Sequence, residues 1–204
     1  NLIDLMREVE ELLVETLACE KAFYISYQDV FIESTSIDPL AADITLLKNF
    51  LKKHGKLDQW LLETDSTDTL LQFIFSEFIE GNIGVVSPCF VYNFPASQAS
   101  LAKLSQGDVR VAERFECYFK GIELANGFNE LTDVELQQER FEADNRGRRS
   151  LGFKEKSIDS RFINALNHGL PQCSGVALGV DRLMMLLGDY NDITDVLTFP
   201  IIDA

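Results

Sequence analysis

Histidine and cysteine are scarce. Two histidines, His54 and His168, and four cysteines, Cys19, Cys89, Cys117 and Cys173, are spread over 204 residues with no C-x-x-C pair. That spacing excludes a zinc site of ordinary ligand pattern and leaves reduced thiols in a cytoplasmic protein as the expected state. Basic residues are short as well: 18 Lys and Arg against 33 Asp and Glu give a net charge of −15. Such a balance opposes nonspecific binding to nucleic acid phosphates, although Arg146, Arg148 and Arg149 offer a local basic patch. No apolar run approaches the roughly 18 residues of a membrane span, and no basic start precedes an apolar signal core, so no membrane association is expected. Repeats and low-complexity linkers are absent too, which predicts one domain over residues 1–204.

What is present is ordinary globular composition, 46% hydrophobic and 25% charged, in a chain long enough for a full core. It opens at Asn1 without a methionine and at once in helical pattern, which suggests a piece of a longer product. Leu2, Leu5, Met6, Val9, Leu12, Leu13 and Leu17 predict an amphipathic helix over about 2–18. Phe23 to Phe31 reads as a short strand or turn, and Ile44, Leu47 and Leu51 stripe a helix ending near Gly55. Ser66 or Thr67 can cap a helix through about Glu80. Val85-Val86 and Cys89 to Phe94 suggest a buried strand split by Pro88. Thr132 and Glu135 form a T-x-x-E capping box for a polar helix through about Arg149. Ile158 to Leu166 reads as a further helix, and Ile193 to Ile202 as a short helix and an apolar strand.

Two stretches carry chemistry. Phe115 to Asp133 puts Glu116, Glu123, Glu130 and the amide Asn126 into what otherwise reads as buried sheet. Phe115, Cys117 and Phe119 alternate with Glu116, Tyr118 and Lys120 before Gly121, the signal of a hairpin turning at Lys120-Gly121. A two-residue turn sets Phe119 opposite Ile122, Tyr118 opposite Glu123 and Glu116 opposite Ala125. Glu116 and Glu123 then lie diagonally on one face, roughly 7–8 Å apart. Two such carboxylates either grip Mg2+ on a nucleotide or decorate a solvated sheet face. Asn126, Phe128 and Glu130 stand on the opposite parity, so a common pocket demands a twist or bulge near Asn126-Gly127.

The second stretch, Ser174-Gly175-Val176-Ala177-Leu178-Gly179-Val180-Asp181-Arg182, runs small residues through a strand into an apolar helix, and small residues permit close approach. Arg182 falls in the first helical turn, where the dipole disfavours a cation and an anionic partner relieves it. That partner is either a nucleotide phosphate, suited to the planar fork of arginine, or a core carboxylate such as Asp181 or Glu130.

Taken together, E-R-F-E-C-Y-F-K-G-I-E-L-A-N-G-F-N-E-L-T-D and G-V-A-L-G-V-D-R-L resemble the last part of a class II aminoacyl-tRNA synthetase catalytic domain of the lysyl type, the second matching motif 3 of that class. The resemblance covers nearly the whole chain. Phe94-Pro95-Ala96-Ser97-Gln98-Ala99 is similar to the F-P-A-S-Q-A of the short lysyl-synthetase paralogues that attach (R)-β-lysine to elongation factor P, where lysyl-tRNA synthetases usually have F-P-V-E-V-S-P-L. The resemblance implies an α+β fold, an antiparallel sheet flanked by helices, and a homodimer built through motif 1. It also implies ATP and Mg2+, with Glu116 and Glu123 holding Mg-ATP and Arg182 binding the γ-phosphate beside Gly179. Asn126, Phe128 and Glu130 then form the amino-acid pocket with Gly175 and Ala177, for lysine or (R)-β-lysine. Ala177 stands where lysyl-tRNA synthetases usually have glycine, and a methyl there narrows the pocket. The expected partner is elongation factor P rather than tRNA. No enzyme nucleophile is needed, in keeping with the lack of a Ser-His or Cys-His pair. Motifs 1 and 2, with the arginine for the α-phosphate, have no counterpart here and are expected upstream of Asn1, so the 204 residues alone are expected to be inactive. A lysyl-tRNA synthetase and a noncatalytic synthetase-like binding module are the alternatives.

Overall fold

The computed structural model describes residues 1–200. Leu2, Met6, Val9 and Leu13 recur every three or four positions along α1 (Leu2–Leu17) and all four are buried. Asn1 caps this helix, its side chain accepting from the Asp4 amide. Among the described residues five strands form one sheet, in the spatial order β1 (Phe23–Ser26), β2 (Cys89–Pro95), β3 (Val111–Phe119), β4 (Ile122–Asn129), β5 (Ser174–Leu178).

The pairings from β2 to β5 are antiparallel, as expected. β1 differs, running parallel to β2 with Phe23 opposite Cys89. A parallel neighbour requires a long crossover, and the stretch between the two strands supplies one as α2 (Tyr27–Thr35), α3 (Ile44–Lys53), α4 (Gln59–Glu63) and α5 (Thr67–Ile74). Phe31, Leu47, Leu51, Leu70 and Ile74 from these helices close over Val91 of β2 on one face of the sheet. On the other face α1 covers Phe90, Phe115, Cys117 and Leu124, joined by Leu183 of α8 (Val180–Gly188). Burial of these apolar side chains from both sides is the main force holding the layers together.

Several local expectations need correction. The segment from Phe23 is extended only to Ser26, whose hydroxyl accepts from the Asp29 amide at 3.0 Å and starts α2. The helix capped by Ser66 does not run on to Glu80 as one regular element; it widens into a π-helical turn at Phe75–Ile79 and then a 3-10 turn at Glu80–Asn82. Val85 and Val86 are exposed and outside the ladder. Asp133, not Thr132, caps α6 (Val134–Ser150), accepting from the Leu136 amide at 3.0 Å. α7 (Ser160–Asn167) packs on α6 through Phe162 and Phe141, ring centroids 6.0 Å apart. Among the described residues after α8 only a 3-10 turn at Ile193–Asp195 forms; residues 196–200 are not strand, and the rest of the expected terminal strand lies outside the described residues. All four cysteines are free. Among the described residues no helix is long and apolar enough to cross a membrane.

Candidate nucleotide and amino-acid site

The hairpin that organises the site turns at Lys120 and Gly121, whose φ values of 50° and 73° are the left-handed pair of a type I′ turn. Phe119 pairs with Ile122 and Tyr118 with Glu123, as the alternation predicts. Beyond that the register slips: Cys117 pairs with Ala125 and Glu116 with Asn126 rather than Ala125. Leu124 is the extra residue of a β-bulge, and it is buried together with Ala125 in the cluster beneath α1. The bulge therefore falls two residues before the position expected from parity. It brings Glu123 from one side of the slip, and Asn126 and Phe128 from the other, onto the face that carries Glu116.

Glu116 is only 8% exposed, and three side chains hold it. Arg114 donates to Oε1, the Asn126 amide donates to the same oxygen at 2.9 Å, and the Tyr118 hydroxyl donates to Oε2. Burial pushes the Glu116 carboxyl above its ordinary value, against the opposing pull of Arg114 and the Tyr118 hydroxyl. The Tyr118 hydroxyl is raised in turn, by burial and by Glu116. The same Asn126 nitrogen reaches Glu123 Oε1 at 3.4 Å, so one amide links both carboxylates. Asn126 Oδ1 is buried and finds no partner among the described residues.

Arg182 stands in the first turn of α8, with Gly179 as the residue before that helix. Its Nη1 donates to the Glu123 carbonyl at 2.6 Å and lies 3.6 Å from the Glu123 carboxylate. Neither Asp181 nor Glu130 is its partner; Glu123 is, which joins Arg182 to the carboxylate row. A Cβ on Gly179 would stand 3.3 Å from Arg182 Cδ, so the glycine leaves room for the arginine stem. On β5, Ala177 pairs with Asn126 and Gly175 with Phe128. A Cβ on Gly175 would meet Glu130 Oε1 at 2.5 Å. The Glu130 carboxyl is raised by partial burial, and it has no ion-pair partner among the described residues. A half-buried carboxylate without a cation suits an ammonium ligand.

Arg114, Tyr118 and Gln98 were not singled out from the sequence. Arg114 and Tyr118 alternate with Glu116 along β3, so parity alone places them on its face. Gln98 had no such signal: its carbonyl accepts from Arg114 Nη1 at 2.7 Å only because the turn Ala96–Gln98 folds back over the strand. A pocket of about 230 Å³ opens beside Glu116, lined also by Arg114, Tyr118 and Gln98. Two larger cavities, about 800 and 830 Å³, run along α6 and share none of these residues.

Two carboxylates bridged by one amide fit a hard divalent cation whose other positions are filled by phosphate oxygens and water. They do not make a cage of protein ligands, and among the described residues no cluster of three His, Cys, Asp or Glu could do so.

Comparison with known proteins gives this geometry a context. The family model described as tRNA synthetases class II (D, K and N) matches residues 6–203. A protein of Proteus mirabilis named elongation factor P (R)-β-lysine ligase is 52% identical over 200 residues, 98% of this chain and 61% of the relative. Proteins of the same name in Hamiltonella defensa and Yersinia enterocolitica are each 53% identical over 197 residues, 97% of this chain and 60% of theirs. The chain thus spans about 60% of the length of the curated relatives it matches. With a family match over almost all of its residues, the chain belongs to the class II tRNA synthetases of the D, K and N group.

Proposed function

We propose that the complete gene product carrying this chain activates (R)-β-lysine with ATP and passes it to a lysine side chain of elongation factor P, acting as a cytoplasmic homodimer. The observation that carries this reading is the hydrogen-bonded run from Glu116 through Asn126 to Glu123 on one sheet face, met by Arg182 from the start of α8, in a chain about half identical to relatives bearing that ligase name.

In this reading Glu116 and Glu123 hold the Mg2+ of Mg-ATP, and Arg182 takes the γ-phosphate through its planar fork. When bound, the cation neutralises charge on the triphosphate. Glu130 receives the substrate ammonium over Gly175, while Asn126, Phe128 and Ala177 line the remainder of the amino-acid pocket. The substrate carboxylate attacks the α-phosphorus, releasing pyrophosphate and leaving an aminoacyl-adenylate. A lysine ε-amine of the acceptor then attacks the adenylate carbonyl and AMP departs. Positioning supplies most of the acceleration, since neither step uses an enzyme nucleophile.

The test is ATP–pyrophosphate exchange by the complete gene product with α-lysine and with (R)-β-lysine, followed by transfer to labelled elongation factor P or tRNA. Exchange favouring (R)-β-lysine, with label on elongation factor P, is expected. Label on tRNA would establish the lysyl-tRNA synthetase alternative, and ATP binding without exchange the noncatalytic module. The 204-residue chain, assayed alongside, is expected to give no exchange.

A further inference from the structure

Arg114 lies two residues before Glu116, on the same face of β3, with its side chain only 17% exposed. One terminal nitrogen donates to Glu116 Oε1 and the other to the Gln98 carbonyl. Its guanidinium also lies over the Phe94 ring, 4.7 Å from the centroid, and 5.8 Å from the centroid of Phe128. Four neighbours thus define the position of one planar group. The turn that supplies the Gln98 carbonyl is itself tied to α5: the Ser97 hydroxyl and the Gln98 amide both donate to Asp68, at 2.7 and 3.3 Å.

These contacts form an unbroken run. It starts at Asp68 and Gln98, passes through Arg114 to Glu116, crosses by Asn126 to Glu123, and ends at Arg182 on α8. A carboxylate that must meet a cation in one orientation needs its rotamer held from outside, and a charged partner also offsets the desolvation of burying it. A guanidinium does both through two divergent N–H groups, whereas an ammonium supplies the charge without the fork.

We propose that Arg114 is a positioning residue that sets Glu116 for the Mg-nucleotide and references it to the Ala96–Gln98 turn. The proposal rests on the reading of Glu116 as a ligand of the nucleotide's Mg2+. It is tested on the complete gene product by calorimetric titration of Mg2+ in the presence of a non-hydrolysable ATP analogue, with unfolding midpoints measured for every variant. Arg114→Gln is expected to weaken Mg2+ affinity about 10–100-fold, the usual effect of removing an outer partner of a metal ligand, and Arg114→Lys to recover part of the loss. Because Arg114 acts through Glu116, the double variant Arg114→Gln/Glu116→Gln is expected to bind no worse than Glu116→Gln alone, a non-additivity that a merely structural role would not produce. Arg114→Lys in the same cycle serves if Arg114→Gln does not fold. Wild-type affinity in both Arg114 variants, or losses that multiply in the double variant, overturns the positioning role while leaving the ligand role of Glu116 standing. A Glu116→Gln variant that binds Mg2+ like the wild type instead removes the reading of Glu116, and the proposal with it.

Discussion

The same methyl group added at two neighbouring glycines should have opposite consequences. At Gly127 a Cβ would stand 2.4 and 2.6 Å from the Phe115 ring and 3.1 Å from the Gly175 carbonyl. Phe115 is fully buried and packed on Phe90, ring centroids 5.5 Å apart, so its ring has no free space to enter. Overpacking of this kind costs about 1–3 kcal/mol. At Gly175 the Cβ would stand 2.5 Å from Glu130 Oε1, the free end of a flexible side chain, and the next atom is 3.6 Å away. The carboxylate must swing aside by about 1 Å, a misplacement that can cost on the order of 100-fold in a positioned site, while stability should change by no more than about 0.5 kcal/mol. Urea denaturation at constant m value reads the first effect, and the KM for the amino acid in pyrophosphate exchange by the complete gene product reads the second. Gly127→Ala should unfold earlier, and Gly175→Ala should unfold like the wild type with a raised KM. A Gly175→Ala protein that loses stability but keeps its KM would refute the placement of Glu130 as the ammonium partner.

Three further outcomes are expected. Asp133→Ala should cost about 1 kcal/mol through loss of the α6 cap, whereas Thr132→Ala should stay within about 0.5 kcal/mol; chemical denaturation separates the two. Because burial raises the Glu130 carboxyl, the folded chain keeps a proton that the unfolded chain has already released just above the ordinary carboxylate range. The contribution of Glu130 to stability therefore declines as pH rises through that window and is fully present below it. Glu130→Gln should flatten the decline in denaturation midpoints measured from about pH 4 to 7. Arg182→Ala should weaken ATP binding by the complete gene product roughly 10–100-fold, the worth of a charged hydrogen bond of about 1.5–3 kcal/mol. Its stability should change by less than about 1 kcal/mol, since the side chain is 47% exposed; calorimetric titration and thermal unfolding check both.

Much of this molecule could be read before any coordinates, wherever one physical rule decides. The stripe from Leu2 to Leu13 writes the helical period in apolar side chains alone, and Gly121 after an alternating strand marks a left-handed turn that other residues enter with strain. Legibility ends where two rules compete. Tyr27, Val30 and Phe31 are residues that favour strands, yet the Ser26 cap and burial against β2 make them helical. Thr132 and Asp133 are both good caps, but the Thr132 hydroxyl accepts from the Gln172 amide at 3.2 Å and the Asp133 carboxylate takes the Leu136 amide. Leu124 has no local mark of a bulge: both it and Ala125 are small or apolar enough for a regular strand, and only the fit beneath α1 makes them share a side. For the candidate site, the residue types at Glu116, Glu123, Asn126, Glu130 and Arg182 pointed to charge pairing. The side chains around Glu116 were hidden because the contact with Gln98 spans a loop whose path no periodicity describes.

The out-of-step residue in β4 also separates the length of the strand from its register. Replacing or deleting Leu124 alters one buried side chain and leaves Asn126 opposite Glu116, whereas pairing it into a regular ladder opposite Cys117 shifts the phase of everything downstream. In that ladder Asn126 and Phe128 would turn inward beneath α1 and Ala125 and Gly127 would take their places on the Glu116 face. At this point the register of the strand is under as much constraint as the chemistry of the residues it carries.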